Sequence, residues 1–462
     1  MYDFFLDFRP SVTAVVSTAA FVSLDRMRTS RNALTARKHD SRPMESRASI
    51  MIISLSYLGY KLCQQTPNMQ RRCAIEQTMY MSLGLSRMYS MAPIIYLYSP
   101  PLFPAVRTIP FFYFSDERDI ALGLSTDGFA PFKRRDKTCW PIILFNYNLP
   151  PEIRFQKKYC IHIATVPGPK KPWDWDSFCW PLVQELIQLE LGVKTFDAIS
   201  QTFFLLHAYL ILVFGDIPAV ALVMRMKGQN GIKPCRICNI KGVRFQSRTN
   251  YVPLRRDKIP GARPPRYLSS DLPIRSHEEM MNQARDIEMA PNKATYERLA
   301  KEYGIKGIPV LGSLSSISFP SSFPFDFMHL IWENLIPNLI EFWTGNFKDL
   351  DHEDEDYYIE PRIWDEIGAA TAACKATIPA VFGAPVPNIA TNQSPMSAEM
   401  YANWTLFIAP IVLRGRFKSA RYYRHFMRLV EVLKLCLAFE ITEEMVDQID
   451  KGFQLWVEDY EM

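Results

Sequence analysis

Apolar runs that end abruptly at turn residues recur between residues 119 and 227 of this 462-residue chain. Runs of about four to eight residues rich in β-branched and aromatic side chains are typical of buried strands, and apolar residues at helical spacing indicate helices. The strands predicted in this way are Ile120–Ser125, Pro141–Tyr147, Tyr159–Val166 and His207–Phe214, and the helices are Trp175–Leu191 and Pro218–Met226. A right-handed crossover through the first helix would lay the fourth strand parallel to the first.

The order strand, strand, strand, helix, strand, helix predicts an α/β fold with an RNase H-like core, in which helices flank a mixed sheet. We expect this core at residues 112–227. Residues 228–324 are predicted to form a long insertion that contains Cys-x-x-Cys, and residues 325–462 a mainly helical region. Residues 1–111 carry many Arg and Ser without a sustained period and are poorly specified.

Two carboxylates follow the first and fourth predicted strands. Asp127 ends the segment that begins at Ile120, and Asp216 follows the run that ends at Phe214. Parallel neighbouring strands would bring both acids to one edge of the sheet, where oxygen ligands suit Mg²⁺ or Mn²⁺ and two ions can clamp a phosphodiester. Taken singly, each acid is also an ordinary turn or helix-cap residue. Taken together, they favour a site for two metal ions.

A second group of polar residues follows Phe325. Asp326, His329 and Glu333 stand at i, i+3 and i+7, so a helix beginning here would present all three on one face. These three side chains could then form one chemical group. An N-cap Asp with a partly buried His beneath it is the more ordinary interpretation.

Cys235 and Cys238 form a Cys-x-x-Cys pair that suits zinc ligation through thiolates. Tetrahedral zinc needs two more ligands, and the sequence has no second Cys-x-x-Cys. His277 or His329 could complete the site through space, and a pair of buried cysteines without metal is an equal alternative.

Basic residues indicate where a polyanion would bind. The net charge of +5 and the pI near 8.6 permit a nucleic-acid partner without arguing for one. One basic run lies just beyond Asp127, and a later stripe is interleaved with tyrosines, although a solvated helix face is the ordinary alternative for that stripe. The candidate DNA-binding residues are Lys133, Arg134, Arg135, Lys137, Arg421 and Arg424.

The sequence does not support a secreted disulfide-rich protein, a membrane protein, a nucleotide-binding protein or an α/β-hydrolase. The nine cysteines lack the spacing of a disulfide framework, and the acidic N-terminus does not resemble a secretory signal. The longest apolar stretch, Thr202–Val223, contains Asp216 and Pro218, so we predict a strand and a helix there and no membrane span. The chain has no P-loop, no Gly-x-Gly-x-x-Gly before a helix and no Gly-x-Ser-x-Gly.

Several ordered motifs together resemble the transposases of CACTA (En/Spm-type) DNA elements, particularly the fungal relatives, over about residues 112–462. The motifs are Ser125-Thr-Asp-Gly-Phe-Ala-Pro-Phe, Trp140-Pro-Ile-Ile-Leu-Phe-Asn-Tyr-Asn-Leu-Pro-Pro, Val166-Pro-Gly-Pro-Lys-Lys-Pro, Gly215-Asp-Ile-Pro-Ala, Lys233-Pro-Cys-Arg-Ile-Cys and Phe325-Asp-Phe-Met-His.

This resemblance implies a nuclear DDE/D-type transposase that uses two Mg²⁺ or Mn²⁺ ions and acts on element ends and target DNA, with a homo-oligomer as a further expectation. Asp127 and Asp216 match the first two catalytic carboxylates. Asp326 and His329 match the Asp-x-x-His signature of the family, and Cys235 and Cys238 match its cysteine pair, for which zinc is the expected metal.

The chain also departs from the family pattern. Gln229 stands where relatives carry a histidine, and the third catalytic carboxylate is expected well after the Asp-x-x-His helix, with Met462 as the last residue here. Asp326 or Glu333 could take the place of this carboxylate, which makes them the further candidate catalytic residues. The sequence otherwise leaves open a truncated and inactive copy. The alternative function is a catalytically dead, transposon-derived module that binds DNA or another protein.

Overall fold

The computed structural model describes residues 113–130, 138–168, 172, 174–245, 248–251, 254, 267–347, 355–391 and 396–461. The predicted N-terminal segment 1–111 and the basic residues Lys133, Arg134, Arg135 and Lys137 lie outside the described residues. Within the described part, residues up to 224 form one compact unit with residues 308–323, which we call the sheet unit. Residues 225–307 and 324–461 form the other, which we call the helical unit.

The strands and helices follow the order of the chain. The strands are β1 (Ile120–Thr126), β2 (Cys139–Asn146), β3 (Ile161–Pro167), β4 (Val193–Asp197), β5 (Thr202–Leu206), β6 (Ala208–Phe214), β7 (Val243–Phe245) and β8 (Arg248–Tyr251). The α-helices are α1 (Pro151–Arg154), α2 (Trp175–Leu191), α3 (Ile217–Val223), α4 (His277–Glu288), α5 (Lys293–Tyr303), α6 (Ile336–Trp343), α7 (Pro361–Ala373), α8 (Ala398–Asn403), α9 (Ala409–Val412), α10 (Ala420–Cys436) and α11 (Glu443–Tyr460). Two π-helices, Met328–Leu335 and Trp404–Ile408, precede α6 and α9.

A mixed sheet forms the centre of the sheet unit. Its described strands have the order β3-β2-β1-β6, with β1–β2 and β2–β3 antiparallel and β1–β6 parallel. The predicted meander and the parallel fourth strand are therefore confirmed. Leu122 and Leu124 of β1 are fully buried because the sheet is covered by helices, and α2 packs against β6. This mixed sheet with its flanking helices agrees with the predicted α/β fold class.

Helix α2 has the predicted bounds, and local chemistry sets both of them. The side chain of Asp174 accepts a hydrogen bond from the Ser177 amide at the N-cap. Gly192 ends the helix at φ +96°, a backbone conformation that glycine adopts without a steric penalty. Four residues on the inner face, Cys179, Leu182, Val183 and Leu186, are almost completely buried.

The apolar stretch before β6 is divided differently from the prediction. Thr202–Leu206 is a separate strand, β5, which pairs antiparallel with β4 in a hairpin, and His207 separates it from β6. The predicted strand His207–Phe214 corresponds closely to β6, but the hairpin was missed. The apolar run continues through both strands, so hydrophobicity alone carries no sign of the break.

A buried carboxylate attaches residues 308–323 to the rest of the sheet unit. Glu190, near the end of α2, accepts hydrogen bonds from the amides of Ser315 and Ser316 at 3.0 and 3.1 Å. The two serine hydroxyls donate to the same carboxylate at 2.8 and 2.5 Å. The Val213 amide of β6 also donates to the Ser322 carbonyl oxygen at 2.8 Å. These bonds attach the segment to both α2 and β6.

The helical unit agrees with the prediction of a mainly helical C-terminal region. Helices α10 and α11 pack against each other, with Phe426 and Trp456 among their buried residues. None of the helices in the described ranges combines the length and the apolar character needed to cross a membrane.

Candidate functional site

The parallel pairing of β1 and β6 brings the predicted acid positions to adjoining strand ends. Ser125 is paired with Phe214 in the last pair of this ladder, and Asp127 and Asp216 each follow that pair by two residues. Neighbouring strands lie about 4.7–4.9 Å apart. A Cβ atom on Gly215 would lie 2.5 Å from the Thr126 carbonyl oxygen, so this close approach depends on glycine.

The backbone of Asp127 is held from the other side by β2. Phe129 and Cys139 exchange backbone hydrogen bonds of 3.1 and 2.9 Å in the register that Thr126 and Ile142 establish. A Cβ atom on Gly128 would lie 2.6 Å from the Trp140 ring, so the residue after the acid also has to be glycine. The Asp127 side chain is exposed at this edge, where a charged ligand can reach it.

Asp216 is half-buried and is the N-cap of α3. Its Oδ1 atom accepts a hydrogen bond of 2.6 Å from the Ala219 amide. The helix-cap interpretation of this residue is therefore confirmed. The cap holds the carboxylate in place through Oδ1 just after the end of β6.

Asp326, His329 and Glu333 come together in the helical unit, as their spacing predicts. Asp326 Oδ2 lies 2.7 Å from His329 Nδ1, and Asp326 Oδ1 accepts a hydrogen bond of 3.2 Å from the His329 amide. His329 Nε2 lies 3.6 Å from Glu333 Oε2. The segment 328–335 is a π-helix, which is a rare form of helix that often occurs at functional sites.

Tyr401 of α8 is a neighbour of this group that the sequence did not indicate. Burial raises the pKa of Tyr401, and the negative charges of Glu341 and Glu333 raise it further. Tyr401 is far from Glu333 along the chain, and no local pattern links the two. Only the packing of α8 against the π-helix brings them together.

Cys235 and Cys238 are buried in the helical unit, and neither is in a disulfide. The amides of Ile237 and Cys238 each donate a hydrogen bond of 3.3 Å to Cys235 Sγ. Burial lowers the pKa of His277. The pairing of Cys238 with Ile274 brings the chain just before His277 alongside the cysteines.

Metal-binding groups are limited in the described part of the chain. No group of three or more His, Cys, Asp or Glu side chains there is arranged to hold a metal ion. The cysteine pair supplies two of the four ligands of structural zinc, so the zinc expectation stays a prediction. Asp127 and Asp216 are only two carboxylates, so the Mg²⁺ or Mn²⁺ expectation for them likewise stays a prediction.

The two candidate arginines on α10 are both exposed. Arg421 lies with its guanidinium 5.0 Å from the centre of the Tyr422 ring, and Arg424 follows one turn later. Other basic residues of the predicted stripe are in ion pairs: Arg416 with Glu366 at 2.8 Å, and Arg428 with Asp459. The exposed cations remain candidates for phosphate contacts.

Residues 105–304 match the family model described as Transposase family tnp2. The match includes Asp127, Asp216 and the cysteine pair, and it supports a transposase-like protein. No curated protein matches the chain.

Proposed function

We propose that this chain is a DDE/D-type transposase of the CACTA (En/Spm) kind with an RNase H-like core. The observation that supports the proposal is the parallel register of β1 and β6, because Asp127 and Asp216 each follow the last pair, Ser125 with Phe214, by two residues. The strand order 3-2-1, followed by a parallel strand that joins strand 1 after a helix, supports the RNase H-like assignment. The tnp2 family match supports the transposase class.

In this proposal Asp127 and Asp216 hold two Mg²⁺ or Mn²⁺ ions. Such ions would activate the attacking hydroxyl group and stabilise the leaving oxygen of a phosphodiester. The protein contributes rigidity, because both carboxylates follow paired strands and Asp216 is also fixed by its bond to Ala219. Asp326 and Glu333 are the candidates for a further catalytic carboxylate.

The proposed substrates are the ends of a DNA element and a target duplex. Exposed Arg421 and Arg424 would contact phosphate groups, and we propose a nuclear location and a homo-oligomer that holds two ends together. Exposed cations on one helix are the observation that favours the second candidate function, a catalytically dead DNA-binding module.

The test is cleavage of labelled element ends by the full-length chain in the presence of Mn²⁺. Asp127→Asn removes a charge at the proposed metal site and should abolish cleavage while DNA affinity is kept. Asp174→Asn, at a helix cap that is not part of the proposed site, is the matched control and should cleave normally. Salt-sensitive DNA binding by a wild-type chain that never cleaves would favour the dead module instead.

A further inference from the structure

We propose that the outer side of the β4–β5 hairpin is a contact surface between two copies of this chain. Four side chains, Lys194, Phe196, Phe203 and Leu205, make up this surface, which we call the hairpin face. The contact would form the homo-oligomer of the proposed function and rests on that part of it. It requires neither the proposed metal ions nor DNA cleavage.

The register of the hairpin places the four side chains on one side. Phe196 is paired with Phe203, and Lys194 is paired with Leu205. Residues two apart on a strand share a face, so the two pairs are adjacent on the same face. The exposures follow this alternation: Phe196, Phe203 and Leu205 are 44%, 65% and 55% exposed, whereas Thr195 is buried.

The opposite side of the hairpin is held by the sheet unit. The Arg118 guanidinium lies 3.9 Å from the centre of the Phe204 ring and 3.4 Å from Asp197 Oδ2. Asp197 Oδ1 accepts a hydrogen bond of 2.8 Å from the Ile199 amide in the turn, and Leu206 is buried. These contacts fix the hairpin before a partner binds, so association requires little further ordering.

The hairpin face is apolar on the side that water reaches. In an antiparallel sheet with one solvated face, that face normally carries polar residues. Here the rings of Phe196 and Phe203 are in edge contact, with their centroids 5.3 Å apart, and Leu205 lies beside them on the same face. Adjoining apolar side chains exposed in this way are typical of a surface that binds another molecule.

The chemistry of the face favours a second copy as its occupant. Two identical faces can pack as stacked sheets do, with the Phe196–Phe203 pair of one copy against that of the other. Lys194 Nζ lies 4.9 Å from the centre of the Phe203 ring, so aromatic rings already accommodate this cation. A twofold axis through the aromatic pairs would place the two lysines on opposite sides of it. No acidic partner is then required.

The area of the face predicts a weak dimer. Leu191, directly before the hairpin, and Ile199, in its turn, are a further 70% and 41% exposed. With the hairpin face they offer roughly 500 Å² per copy. A pair of copies would bury about 1,000 Å², which is below the 1,200–2,000 Å² that is typical of stable complexes. We therefore expect reversible dimers with a dissociation constant on the order of micromolar or weaker.

Sedimentation velocity of the full-length, nuclease-treated chain over a range of concentrations tests this contact, because no DNA can then bridge two copies. We expect the wild type to dimerise reversibly, and Phe203→Thr and Leu205→Thr each to weaken dimerisation by ~10-fold or more. Threonine keeps a high strand propensity, so both variants should fold, which circular dichroism and urea unfolding verify. Phe439→Thr makes the same change at a 91% exposed phenylalanine outside the hairpin and should dimerise as the wild type does.

Dimerisation that is unchanged in both hairpin variants would overturn the proposal, and any homo-oligomer would then use another surface. A wild-type chain that stays monomeric at every concentration would overturn both this contact and the proposed homo-oligomer. Cleavage of element ends by such a monomer would leave the proposed metal chemistry standing. If that monomer binds an oligo(dT) probe and Phe203→Thr weakens the binding, the face instead belongs to single-stranded nucleic acid, whose bases stack on aromatic rings.

Discussion

Asp216 combines a structural role with a proposed chemical one, and two substitutions separate them. Its Oδ1 caps α3, and its carboxylate is proposed to bind a metal ion. Asp216→Asn keeps a side-chain oxygen for the cap, because Asn and Asp are about equally good N-caps. The same change removes the negative charge that the metal ion requires. Asp216→Ala removes both the cap and the charge.

The expected magnitudes follow from the contacts. Loss of the 2.6 Å bond to the Ala219 amide in Asp216→Ala should lower the free energy of unfolding by about 1 kcal/mol. Asp216→Asn should change it by less than about 0.5 kcal/mol. Both variants should weaken Mn²⁺ binding by at least about tenfold, or about 1.4 kcal/mol.

Urea unfolding measures the first quantity, and isothermal titration of the full-length chain with Mn²⁺ measures the second. Asp174 provides the matched control, because it caps α2 through the Ser177 amide and is not part of the proposed metal site. Asp174→Ala should show the cost of a lost cap with unchanged Mn²⁺ affinity. Asp174→Asn should change neither quantity.

Two results would refute this reasoning. If Asp216→Asn destabilises the protein as much as Asp216→Ala, the charge of Asp216 contributes to folding and the separation of roles is wrong. If Mn²⁺ affinity in Asp216→Asn equals that of the wild type, the carboxylate is not a metal ligand.

Two further predictions concern stability. In Glu190→Gln an NH₂ group replaces one of the two carboxylate oxygens that accept hydrogen bonds from Ser315 and Ser316. The free energy of unfolding in urea should therefore fall by about 2–4 kcal/mol. A change below about 0.5 kcal/mol would contradict this prediction. Burial lowers the pKa of His425 to about 4, and its Nε2 lies 2.9 Å from the Trp456 carbonyl oxygen. Because the unfolded chain binds the proton at a higher pH, near 6.5, stability should fall as pH decreases from about 6.5 to about 4, by on the order of 3 kcal/mol. His425→Gln should flatten this pH dependence, and an equal slope in the variant would exclude His425 as its source.

Much of the sheet unit could be predicted because its elements are coded locally. The apolar run from Ile120 ends at a turn, and the helix Trp175–Leu191 has its apolar residues at helical spacing, an N-cap Asp and a terminal Gly. The spacing of Asp326, His329 and Glu333 likewise placed them on one helical face. Each of these features depends on neighbours within a few residues, where propensity and capping act.

Only the tertiary structure decided which distant segments meet. The strand Thr202–Leu206, which forms a hairpin with β4, was not predicted, because a continuous apolar run does not show where one sheet ends and another begins. The attachment of Ser315 to Glu190 and the position of Tyr401 near Glu333 also have no local pattern. Contacts between residues far apart in the chain form when whole faces of helices and sheets are buried together, and the free energy of that burial is non-directional, so periodicity alone does not specify the partners.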